Sequence, residues 1–188
     1  GHGTDPVIRG LGQTRLNVVM DGAMIQGACP NRMDPPSAYA PTSGYDTINI
    51  TRGVASLSRA SGPGGSIVFE RNTQRFAPGE APRFEAHVGY RGNGSVEDAA
   101  VDVVAGQTHG YVRLLGSTME ADNYTDGQGQ TVRSAFKDNS AAVLLGYTPT
   151  EQSELVISLD AQRLRDTLFA GAGMDSPRSD SETLRVKG

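Results

Sequence analysis

Arg15-Leu16-Asn17-Val18-Val19-Met20-Asp21-Gly22 is the stretch whose reading decides the fold. Leu16 to Met20 is an apolar run with adjacent β-branched residues, and it reads as a strand. Asp21-Gly22 closes it with a turn signal. Upstream, Val7 to Gly10 reads as a shorter strand ending at glycine. Downstream, residues 23–43 read as loop, because Pro30, Pro35, Pro36 and Pro41 prevent long regular structure. A third strand is expected over Thr47 to Thr51, ending at Arg52-Gly53, and a short helical segment over Val54 to Ser61. Gly62-Pro63-Gly64-Gly65 then turns into a strand from Ser66 to Glu70.

The loop after Gly22 carries the chain's one cysteine, Cys29, with Met33 four positions on. A thiolate and a thioether are soft ligands, which favour Cu(I) over hard cations. If residues 29–33 form one helical turn, both sulfurs share a face and can reach one ion. Pro30 suits the first position of such a turn. The same two residues also suit plain packing, since free cysteine is commonly a small buried hydrophobe and methionine a gap-filler. Two sulfurs make an incomplete site in any case. Sulfur chemistry alone leaves ligation and packing both open.

The chain has 188 residues, a length compatible with one or two domains. Apolar residues make up 37%, and a net charge of -4 gives nucleic-acid binding no electrostatic support. One cysteine allows no internal disulfide. No signal peptide and no apolar run near the length of a spanning helix is present, which does not exclude a membrane barrel of short alternating strands. The chain reads as an excerpt, opening in mid-motif and stopping just after a further strand begins at Ser181.

Four blocks together are specific. They are Ile8-Arg9-Gly10, the stretch from Arg15 to Gly22, Ile48-Asn49-Ile50-Thr51-Arg52-Gly53, and Gly64-Gly65-Ser66-Ile67-Val68-Phe69. In order and spacing they resemble the plug of TonB-dependent outer-membrane receptors. Within that family, Ala28-Cys29-Pro30-Asn31-Arg32-Met33-Asp34-Pro35-Pro36 resembles the plug loop of copper-specific receptors, which carry a Cys-x-x-x-Met motif there. The resemblance implies that Cys29 and Met33 are copper ligands. It also implies a His-x-Met pair supplied by the barrel. His2, His87 and His109 are followed two places on by Thr4, Gly89 and Tyr111, so those partner ligands are expected beyond Gly188.

From Pro82 onward the pattern becomes alternation with turns. Phe84, Ala86, Val88 and Tyr90 alternate with Glu85, His87, Gly89 and Arg91, the period-two pattern of a half-exposed strand. Further strands are expected over Ala99 to Ala105, Gly110 to Met119, Ala141 to Tyr147, Glu154 to Arg163 and Ser181 to Val186. Long polar links, Glu120 to Asn139 and Leu164 to Asp180, alternate with shorter ones, which fits a barrel with tight periplasmic turns and longer outer loops. Plugged transporters of that kind close at about 22 strands, of which roughly six fall here. His87 would face the barrel interior. A soluble β-sandwich is the structural alternative that alternation leaves open.

Other motifs fail on inspection. Asp122 to Gly127 has the opening rhythm of a calcium loop, but Tyr124 stands at a ligand position and the terminal glutamate is missing. Gly62 to Gly65 lacks the lysine and hydroxyl residue of a phosphate loop. Nothing points to catalysis. The expected fold is an α+β plug over residues 1–72, followed over residues 73–188 by the first antiparallel strands of a transmembrane β-barrel. The implied function is copper import across the bacterial outer membrane, with copper, the TonB complex and membrane lipid as partners. A receptor for a siderophore or other metal complex, and a surface β-rich binding module without transport, are the rival readings.

Overall fold

The computed structural model describes residues 5–27, 29, 33–53, 63–171 and 174–188. The chain divides between Asn72 and Thr73 into two compact units.

In the first unit, β1 (Val7–Ile8) and β2 (Leu11–Gly12) form a small hairpin over Arg9-Gly10, both of which have positive φ. The strand expected from Val7 to Gly10 is therefore one hairpin arm and its turn. A four-stranded sheet follows, made of β3 (Leu16–Met20), β4 (Ala23–Met24), β5 (Thr47–Arg52) and β6 (Gly65–Glu70) in the order β4-β3-β6-β5. β3 and β6 run parallel, whereas β5 pairs antiparallel to β6. β6 is central and buried from Gly65 to Phe69, which accounts for its continuous apolar run. Val18, Met20, Ala40, Ile67 and Phe69 form the core, with Ile8, Ile25, Tyr39 and Tyr45 packed against it. Gly65 has a φ of +128°, and a Cβ there would lie 2.1 Å from the Thr51 carbonyl oxygen, so no larger residue fits. In its described residues the expected loop over residues 23–43 is largely irregular, broken by β4 and by 3-10 turns at Pro36–Tyr39 and Thr42–Gly44. The helical segment expected over Val54 to Ser61 lies outside the described residues.

A polar latch closes the same end of β3 and β6. Asp21 donates its N–H to the Phe69 carbonyl (2.9 Å), while its carboxylate accepts the Arg71 N–H (2.7 Å) and faces Arg71 Nη1 at 3.2 Å. Arg71 Nε donates to the Gly44 carbonyl at 2.7 Å, and the guanidinium lies 4.6 Å above the Tyr45 ring. Arg71 is buried, so these partners replace the water it gives up.

The second unit contains β7 (Arg83–Arg91), β8 (Val96–Gln107), β9 (Gly110–Ala121), β10 (Tyr124–Thr125), β11 (Thr131–Val132), β12 (Phe136–Thr150), β13 (Ser153–Leu168) and β14 (Asp175–Lys187). Six of them make one antiparallel meander in the order β14-β13-β12-β9-β8-β7, while β10 and β11 pair as a separate hairpin. Residues 108–109 and 151–152 turn tightly at one end, and the longer connections, including 122–135, gather at the other. The strands outrun their expected lengths. The long link from Glu120 to Asn139 shortens to residues 122–135, and that from Leu164 to Asp180 to residues 169–174. The reason is physical: at their far ends the strands are polar on both faces, as with Lys137 and Asn139 beside Asp138 and Ser140, so no apolar alternation marks them.

Register assigns the two faces. Phe84, Val103, Leu114, Val143, Leu159 and Leu184 are aligned across the sheet on one face. On that same face, Val112, Leu145, Ile157 and Val186 form the next row, and most of these side chains are exposed. Exposed Tyr147 lies on this face towards the tight-turn end, and exposed Tyr90 towards the other. The opposite face is polar and more covered. There Arg113 pairs with Asp102 (2.6 Å), Arg185 with Asp160 (2.6 Å), and Gln162 donates to Asp138 (2.9 Å). His87 stands on this polar face, as expected, with Nε2 3.0 Å from Asp98 Oδ2. The face also holds an apolar cluster of Phe76, Val104, Tyr111, Leu115, Ala142 and Leu144.

Candidate metal site

The loop that carries Cys29 is built outward from β3. The Asp21-Gly22 turn has positive φ at both residues, which folds β4 back so that Met24 pairs with Val19. The Ile25 N–H then donates to the Val18 carbonyl at 3.2 Å. Beyond this, the chain leaves the sheet and is gathered by one residue, Asp34. Its Oδ1 accepts the Cys29 N–H at 2.8 Å and its Oδ2 accepts the Tyr39 hydroxyl at 2.5 Å. Gly27 passes so close that a Cβ would sit 2.0 Å from the Asp34 carbonyl oxygen. Pro35 and Pro36 are both buried, and the 3-10 turn at Pro36–Tyr39 returns Tyr39 to the core.

Cys29 is half-buried with a free thiol. It lines a cleft of about 460 Å³ in the first unit, together with Gln13, Asn17, Met24, Gln26 and Pro36. Met33 is also half-buried, but it is not among the described residues on that wall. The helical turn expected to join the two sulfurs runs through residues 30–32 and lies outside the described residues. Among the described residues, no group of three His, Cys, Asp or Glu side chains could hold a metal ion. What the loop offers is therefore soft sulfur at a cleft wall, with the cysteine backbone pinned by a carboxylate. A complete coordination sphere needs further donors.

Two features here escaped the sequence. One is the Asp34 clamp, whose only trace is an acidic residue before two prolines. The other is Met24, which reaches the Cys29 cleft because the turn at Asp21-Gly22 doubles the chain back.

The family described as TonB-dependent Receptor Plug Domain matches residues 1–66. The solved structure of "Copper transporter OprC" is similar to the chain, with a TM-score of 0.91 and 34% sequence identity. The match covers 97% of this chain and 28% of that one, so the chain spans little more than a quarter of that protein. No curated protein matches the sequence.

Proposed function

We propose, from the plug-family match over residues 1–66 and the likeness to the copper transporter, that the chain is part of a TonB-dependent receptor and that the intact protein imports copper across the bacterial outer membrane. Residues 1–72 would serve as the plug and residues 73–188 as the first strands of the barrel around it. The observation that carries this reading is the likeness to the copper transporter, at 34% identity over nearly the whole chain. Copper is the cargo. Cys29 and Met33 would take it from outside as soft ligands favouring Cu(I), and the remaining donors would come from the rest of the barrel. The TonB complex would then act on the plug to release the ion inward.

The six-stranded sheet supports the membrane setting. Its exposed apolar face has a tyrosine towards each end, the arrangement of a lipid-facing band with aromatic girdles. A soluble β-rich module would leave that face without a partner. The rival cargo is a siderophore or other metal complex. In that case Cys29 simply packs in the plug.

Copper content of the purified intact protein separates the two. One tightly held copper in the wild type, lost or greatly weakened in both Cys29→Ala and Met33→Ala, is the expected result. Affinity should also fall as pH drops, because protons compete with the metal for the thiolate. Copper content unchanged by either substitution would return both sulfurs to packing and leave the cargo a metal complex.

A further inference from the structure

The face that carries the apolar band does not end in neutral loops. At the long-connection end of β13 and β14 it becomes a cluster of arginines. Leu159 and Ala161 are followed on that face by Arg163 and Arg165, which register opposite Asp180 and Arg178 of β14. On the other side, Arg163 is opposite Asn139 and Arg165 opposite Lys137 of β12. From Leu159 to Arg163 the strand advances about 13 Å at the usual rise, or roughly 10 Å along the bilayer normal at the usual barrel tilt.

Three arginines share this face with two carboxylates, Asp180 and, diagonally from Arg163, exposed Glu182, so the cluster keeps one positive charge. Arg165 and Arg178 stand directly opposite one another, a pairing that is unfavourable for like charges. Both turn to one carboxylate: Arg165 Nη1 bonds Asp180 Oδ1, and Arg178 Nε donates to Asp180 Oδ2 at 2.8 Å. Asp180 thus serves two guanidiniums and neutralises one. Lys137 is engaged elsewhere, with Glu120 at 2.5 Å. The exposed Arg163 guanidinium has no ion-pair partner among the described residues. The Arg178 side chain is 72% exposed, so donors remain open to the outside.

We infer that Arg163, Arg165 and Arg178 form a docking site for the phosphate of an anionic lipid headgroup in the outer leaflet. The inference rests on the membrane-barrel reading, which makes this face the lipid-facing one and the long connections external. Guanidinium forks match phosphate oxygens in pairs, and a phosphate supplies the second negative charge that Arg165 and Arg178 lack. Cations just beyond a hydrocarbon band meet headgroup charge without leaving water entirely. The occupant is a lipid phosphate rather than a free anion because the apolar row through Leu159 and Leu184 lies on the same face, one row beyond Ala161 and Glu182, where acyl chains would extend.

The test uses the intact protein in phosphatidylcholine nanodiscs containing a small fraction of lipid A, with bound lipid A counted by native mass spectrometry. Wild type should retain lipid A, and the triple variant Arg163→Gln/Arg165→Gln/Arg178→Gln should retain it roughly tenfold less or weaker still. Arg133→Gln, which removes a loop arginine paired with Asp175, should retain it as wild type does. If the triple variant does not insert, Arg163→Gln alone carries the comparison, since no internal ion pair is lost. Equal retention by wild type and the arginine variants overturns the site. Displacement of lipid A by inorganic phosphate at similar concentration overturns its assignment to lipid. Failure of the wild type to enter nanodiscs overturns the barrel reading itself, a result distinct from insertion without lipid A.

Discussion

In β3 and β6 of the first unit most apolar side chains are buried, Ile48 and Ile50 of β5 being exposed, and in the second unit most apolar side chains of the sheet point outward. β6 is buried from Gly65 to Phe69, β3 supplies Val18 and Met20 to a compact core, and Tyr45, just before β5, packs against it. β12 and β13 instead leave Val143, Leu145, Ile157 and Leu159 exposed, while Asp138 and Gln162 on their other face, and Arg113 of β9 beside them, are buried. The strand geometry is the same, with side chains alternating at period two. What differs is the solvent each face is built for. A water-bounded sheet hides its hydrocarbon, whereas a lipid-bounded sheet displays it and encloses its charges.

The sharpest way to break that contrast is at the latch of the first unit. Arg71→Ala removes the guanidinium that faces Asp21 and its contacts with Gly44 and Tyr45, while the backbone N–H that Asp21 accepts remains. A cost of about 3–5 kcal/mol is expected at most, because the largely buried carboxylate loses its charge partner. Hydrogen exchange of the β3 and β6 amides in the intact protein should accelerate accordingly; unchanged protection would mean that the latch is incidental.

Leu159→Arg probes the second unit from outside. In lipid it should cost about 2–4 kcal/mol if the residue lies near the bilayer midplane, read as weakened refolding into vesicles. In a water-facing sheet the same change, at a side chain 54% exposed, would be nearly silent. A silent result would therefore turn the comparison around and favour the soluble sandwich. Lys137→Ala gives the smallest effect. Lys137 and Glu120 are each about half exposed, so their ion pair should leave the unfolding midpoint where it is. A clear loss there would extend the low-dielectric region farther along the strands than the register of apolar rows indicates.

Much of this contrast was legible in the sequence, for reasons that also explain what was not. Leu16 to Met20 and Ser66 to Glu70 announce buried strands by composition, and Phe84 to Tyr90 announces a two-faced one by alternation. The far halves of β12, β13 and β14 were unreadable as strand because polar residues occupy both faces there. Backbone pairing with neighbours, which leaves no mark in composition, extends them. At the candidate site, residue chemistry pointed to Cys29 and Met33 as soft donors, and the family resemblance, not their spacing, implied that they are ligands. The clamp that holds Cys29 could not be read in the same way, since one carboxylate reaching a backbone N–H and a tyrosine hydroxyl has no period.

The β3–β4 hairpin places two thioethers four positions apart under opposite conditions: Met20 is 0% exposed, and Met24 on the cleft wall is 48% exposed. Sulfoxidation needs access to sulfur, so peroxide should convert Met24 early and leave Met20 untouched until the core opens. The pair is a built-in footprint. Slower oxidation of Met24 with Met20 still protected would report that the cleft has been covered, whereas oxidation of both together would report that the plug has unfolded. Peptide mass spectrometry of the intact protein, with and without copper, would read that difference without any substitution in the chain.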